Sequence, residues 1–116
     1  MNTVTAQIAL CQQYGAAYVP SNEQLKVGLS RSVAEGVRPI HGVRYAPEAD
    51  TTGWYIWAGE FSLADDFFQP VHLAHLTAWA PQVQPYLGLG PGWRFILDPE
   101  EDYVDVWFDD SLGVLT

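Results

Sequence analysis

Asp50-Thr51-Thr52-Gly53-Trp54-Tyr55-Ile56-Trp57-Ala58-Gly59-Glu60 is the stretch on which the reading of this chain turns. From Gly53 to Glu60 it alternates as a strand does, with Trp54, Ile56 and Ala58 on one face and Tyr55 and Trp57 on the other. Both faces are apolar, so the strand belongs in the middle of a sheet. A shorter echo, Pro91-Gly92-Trp93-Arg94-Phe95-Ile96, opens a second tryptophan-bearing strand.

Outward from this stretch, Trp93–Leu97 and Tyr103–Phe108 read as a strand pair joined across Asp98-Pro99-Glu100-Glu101-Asp102, a solvated hairpin turn. In the second of these strands Val104, Val106 and Phe108 share one face. Tyr103, Asp105, Trp107 and Asp109 share the other, half aromatic and half acidic. Upstream, Lys26–Ser32 and Arg38–Tyr45 read as two strands with Gly36 in the turn. Ser21 and Gln24 also stand at capping-box spacing, which leaves a helical turn from Asn22 as an alternative start.

Helical periodicity occurs twice. Val4, Ile8, Cys11 and Gly15 form one stripe from a cap at Asn2 or Thr3, with Gly15 as the stop. Leu73, Leu76 and Ala80 form another in a helix from about Val71 to Trp79, ended by Pro81. Phe61 to Pro70 is a loop, Pro81–Leu87 at most a separate turn, and Gly88–Gly92 a loop. The pattern predicts an α+β fold: a single domain over residues 1–116 with an antiparallel sheet of about four to five strands packed with two helices.

A chain of 116 residues, 48% hydrophobic, holds one core and has no room for a second domain. Its charge of −9 is lopsided: residues 48–116 carry twelve acids against Arg94 alone. Such a field repels nucleic acid and anionic membrane and steers basic partners, although acidity also serves plain solubility. Cys11 is the single cysteine, so no internal disulfide forms and a reducing compartment is expected. Ile8-Ala9-Leu10-Cys11 faintly resembles a lipoprotein cleavage site, but no basic residue precedes it and Leu10 is bulky. With no apolar run long enough for a membrane span, the expectation is a cytoplasmic protein.

No cluster has the spacing of a known catalytic or metal site. His72 and His75 would share a helix face and, with Glu60 or Asp65, set up a small metal-dependent hydrolase as the rival reading. Trp54, Trp57 and Trp93 read as core or as a binding face that stacks a ligand. Trp107, flanked by Asp105 and Asp109, is the better candidate for exposure. Glu60 follows a glycine at a strand end, where a carboxylate either acts or caps. Asp65-Asp66-Phe67-Phe68 joins two carboxylates to two rings in a loop, a composition suited to a basic cleft, or else caps the next helix and anchors the loop. Ser62, Ser111 and Thr116 lack a nucleophile motif, and the glycines at 88, 90 and 92 lack the context of a phosphate loop.

From Gly28 to Phe95 the chain resembles immunity family thirty-three of the bacterial polymorphic-toxin systems, formerly a domain of unknown function. The matching residues are Asp50, Gly53 and Trp54 closing on Gly59-Glu60, then Pro81-Gln82-Val83-Gln84-Pro85-Tyr86-Leu87, then Pro91-Gly92-Trp93. The resemblance implies a non-enzymatic protein, without cofactor or metal, that binds a cognate toxin and protects the producing cell. Charge adds a basic toxin, plausibly a nuclease, as the partner, with Trp54, Glu60, Asp65, Asp66, Phe67, Phe68, Asp105 and Trp107 as the contact residues. The sequence leaves a homodimer open.

Overall fold

The computed structural model describes residues 3–111. In chain order the elements are α1 (Thr3–Gln13), β1 (Lys26–Leu29), α2 (Arg31–Ala34), β2 (Ile40–Arg44), β3 (Thr51–Ala58), β4 (Gln69–His72), α3 (Leu73–Trp79), a 3-10 helix (Pro81–Tyr86), β5 (Trp93–Asp98) and β6 (Tyr103–Phe108). The strands form one sheet in the order β4-β1-β3-β2-β5-β6.

β3 lies inside this sheet, as its two apolar faces require. It runs antiparallel to β2 and parallel to β1. The parallel pair follows from chain order: β1 and β2 point in opposite directions with a gap one strand wide, and β3 turns back from β2 into that gap. All other pairings are antiparallel. The sheet is therefore mixed and six-stranded, not purely antiparallel with four or five strands.

β4 supplies the added strand, and α2 shortens an expected one. β4 takes in Val71 and His72, which the helical pattern assigned to the start of α3, because the edge of β1 offers hydrogen-bonding partners from Lys26 to Leu29. α2 interrupts the expected strand Lys26–Ser32 after Leu29. There the Ser32 hydroxyl accepts from Ala58 N at 3.2 Å and bonds with the Ser30 hydroxyl, tying the turn to β3. The capping-box alternative does not form. Instead the Asn22 side chain accepts from Gln24 N at 2.8 Å, a local turn that ends where β1 begins.

All four helical segments contribute to one core, through Cys11, Val33, Leu73, Leu76 and Val83, against Val27, Trp54, Ile56, Phe95 and Leu97 of the sheet. α3 buries the stripe its periodicity foretold, with Leu73, Leu76 and Ala80 each at most 2% exposed. α1 buries Cys11 of its expected stripe but not Val4 or Ile8. Val4 and Ile8 are exposed, whereas Gln7 and Cys11 are buried. Gln7 is admitted because its amide donates to Gln84 O at 2.8 Å. Gly15 ends the helix at φ +70, and Ala16 N reaches back to Cys11 O at 2.8 Å.

Beneath Trp54 the core holds a charge. Arg44 is 2% exposed and pairs with no carboxylate among the described residues; its Nε donates to Thr52 O at 2.9 Å and its Nη1 to Val19 O and Leu89 O, both at 2.8 Å. Nη2 reaches Pro20 O at 3.4 Å, and the guanidinium lies 5.6 Å from the Trp54 ring centroid. Burial pushes its pKa down to about 10, so it stays charged at neutral pH. One side chain thus joins β2, β3, the segment before β1 and the loop before β5.

Gly53 carries the irregularity of the central strand. Between the pairs Lys26↔Thr51 and Gly28↔Tyr55 the two strands advance unequally, and the bulge falls at Gly53 with φ +90. A Cβ there would stand 2.0 Å from Tyr45 O.

Candidate partner-binding face

The helices cover only one face of the sheet. The other is built from the alternate residues of the same strands: His41 and Val43 of β2, Tyr55 and Trp57 of β3, Arg94 and Ile96 of β5, and Asp105 and Trp107 of β6. No helix among the described residues covers it. The loop between β3 and β4 folds across one side, and the connection from β2 to β3 borders it through Tyr45 and Glu48.

That loop is pinned by aromatic contacts. Phe67 and Phe68 meet at 4.8 Å between centroids, and Phe68 stands edge-on to Tyr55 at 5.2 Å and to Trp57 at 6.0 Å. Phe61 completes the group, edge-on to Trp57 and to Phe67, both at 5.5 Å. These edge-to-face arrangements suit the ring quadrupoles and hold the loop without helical structure. On the other flank of Trp57, His41 stacks at 4.9 Å with the rings nearly parallel. Burial, and secondarily the Arg94 charge, lower the His41 pKa below its usual value, so the imidazole is neutral at neutral pH.

Between the loop and the strands runs a groove of about 760 Å³. Tyr45, Tyr55, Trp57, Phe61 and Phe68 line it, with Glu48 and Arg94 as its charged residues. Arg94 donates to Asp109 at 3.1 Å, lies 5.3 Å from the Trp107 ring centroid, and keeps a buried Nε that meets no acceptor among the described residues. Bonds from Ser111 and Arg94 hold the Asp109 carboxyl below its usual pKa.

The contact residues expected from sequence divide between the two faces. Asp105 and Trp107 lie on the open face, and Phe67 and Phe68 are half-buried beside it. Glu60, Asp65 and Asp66 are exposed in the adjoining loop, and none of the three side chains makes a hydrogen bond or ion pair among the described residues. The aspartates cap no helix, since the residue preceding α3 is His72. Trp54 belongs to the opposite face. It is 1% exposed, over Arg44, with its indole donating to Ser21 Oγ at 3.0 Å, so it packs as a core residue.

Sequence reasoning passed over Tyr45, Tyr55, Phe61, His41 and Arg94. The signal for Tyr55 was present, because alternation puts it opposite Trp54. Of the rival site, His72 and His75 do meet at 6.0 Å, and His75 stacks on Trp79. No group of three or more histidine, cysteine, aspartate or glutamate side chains among the described residues could hold a metal ion. No helix among the described residues is long and apolar enough to cross a membrane.

A family model described as the Imm33-like domain matches residues 6–109, and the chain belongs to that family, whose name is that of an immunity-protein family. Neither a curated protein nor a solved structure matches it significantly.

Proposed function

We propose that this protein binds and neutralises a cognate bacterial toxin through the open face of its sheet, with no catalysis of its own. The observation that supports the reading is the asymmetry of the sheet: one face is sealed by helices, while the other leaves aromatic rings beside unpaired carboxylates. Trp107, Phe67 and Phe68 supply the apolar contact, and Glu60, Asp65, Asp66 and Asp105 the charge. Carboxylates already held by Lys26, Arg38 and Arg94 have partners within the chain. The free ones are available for a basic surface, and a nuclease toxin, which is itself basic, fits that charge. Desolvated charge pairs at such an interface couple by about 1.5–7 kcal/mol, and steering raises the association rate at low salt.

The test is coexpression with the toxin-like product of a neighbouring gene. That product should kill alone and be tolerated with this chain, and the purified pair should associate with an affinity that falls as salt rises. A chain that fails to protect, or that turns over a substrate by itself, would remove the proposal.

A further inference from the structure

The groove beside Trp57 has features that select one kind of occupant. Its walls are the rings of Tyr45, Tyr55, Trp57, Phe61 and Phe68. Of its two charged residues, Arg94 has its charge paired with Asp109 and lies over Trp107, with only its buried Nε left without an acceptor among the described residues. Glu48 is not: its side chain makes no ion pair or hydrogen bond among the described residues, and only its backbone is engaged, by Thr51. The uncompensated charge of the groove is therefore negative, and the neighbouring loop adds Glu60, Asp65 and Asp66 with the same sign.

Resting on the docking role proposed above, we infer that the groove receives a basic side chain, arginine or lysine, from an extended segment of the protein partner. A guanidinium or ammonium can lie over the tyrosine faces while pairing with Glu48, and the stem of the same side chain covers the phenylalanines. An apolar occupant would bury the Glu48 carboxylate without a partner, and an acidic one would meet like charge from Glu48 and the loop. The volume exceeds that of one side chain, so flanking residues of the segment enter with it.

The inference is tested without the partner. The full chain, isotopically labelled, is titrated by NMR with an acetylated pentapeptide of glycine and arginine, and in parallel with its citrulline counterpart, which keeps the shape and removes the charge. The expected result is shift changes confined to the groove, including the Trp57 indole, with the arginine peptide bound about fivefold or more tightly than the citrulline one. Glu48→Gln should shrink that preference, and it is an exposed substitution that leaves the fold alone. Tyr45→Ala should weaken the arginine peptide about two- to fivefold. Equal binding of the two peptides, shifts confined to other surfaces, no shifts at all, or a Glu48→Gln variant that keeps the full preference would each overturn the inference. The coexpression assay separates this result from the broader one. Protection retained in full by Glu48→Gln and Tyr45→Ala would leave toxin docking standing and remove the groove's role, whereas a charge-selective groove in a chain that protects against nothing would do the reverse.

Discussion

Replacing Arg44 by methionine, which has similar length and no charge, should destabilise this protein by about 3–5 kcal/mol, from hydrogen bonds lost and buried carbonyls left without a donor. The geometry supports the size. Three donor–acceptor distances lie between 2.8 and 2.9 Å, to carbonyls of residues 19, 52 and 89, with a fourth at 3.4 Å. A hydrogen bond to a charged group contributes about 1.5–3 kcal/mol net, and a buried carbonyl left without its donor costs about 1–3 kcal/mol. Against these stands the relief of no longer burying a guanidinium, several kcal/mol in the other direction. The balance stays unfavourable because the acceptors belong to three separate segments, which methionine cannot join to β2. For a domain of this size the loss lowers the thermal midpoint by on the order of 10–25 °C. Urea and thermal unfolding followed by far-ultraviolet circular dichroism and tryptophan fluorescence would measure it. With its pKa near 10, Arg44 is charged throughout neutral and mildly acidic conditions, so the deficit should not vary there. A midpoint equal to that of the unaltered protein would refute the reasoning, and would mean that desolvation cancels all four bonds.

Gly53→Ala should cost roughly 2–5 kcal/mol, from about 1–2 for left-handed backbone and about 1–3 for displacing Tyr45 O, read as a lower urea midpoint at unchanged slope. His41 should make the fold sensitive to mild acid. Its folded pKa lies below the unfolded value of 6.5, so the unfolded chain protonates first and stability falls as pH drops from that value through the folded pKa. His41→Phe should flatten this part of a pH–stability curve, and an unchanged curve would contradict the half-buried neutral imidazole. Asp66→Asn and Asp105→Asn should weaken binding of the toxin, mainly through its association rate, while leaving the thermal midpoint within about 0.5 kcal/mol of the parent. Loss of stability without loss of binding would assign both carboxylates to the fold.

The covered half of the molecule was readable in the sequence because burial writes a period. Trp54, Ile56 and Ala58 repeat every second residue, and Leu73, Leu76 and Ala80 follow the helical turn. β4 writes none: in Gln69-Pro70-Val71-His72 only Val71 approaches the core, and the strand exists because β1 has an edge to pair. The parallel pairing of β1 with β3 is likewise a property of strand order and leaves no local trace. In α1 the stripe of Val4 and Ile8 misleads, since the buried amide of Gln7 is stabilised by a carbonyl 77 residues away. The open face was half legible. Asp105 and Trp107 could be placed by alternation, but choosing Trp54 followed the motif glycine, although alternation puts Tyr55, not Trp54, on the side that stays uncovered. Phe61 lies beyond β3, where no period extends, whereas Tyr45 ended the expected strand Arg38–Tyr45 on the same alternate face as Val43.

A sheet sealed on one side only divides the chain into two sets of positions with separate duties. Substitutions at Tyr55, Asp105 or Asp66 need not disturb Trp54, Arg44 or the helical layer, because the β3 and β6 backbones stand between them. The exposed set can therefore change in sequence while the buried set preserves foldability, so one surface of this scaffold is free to diverge without redesign of its core.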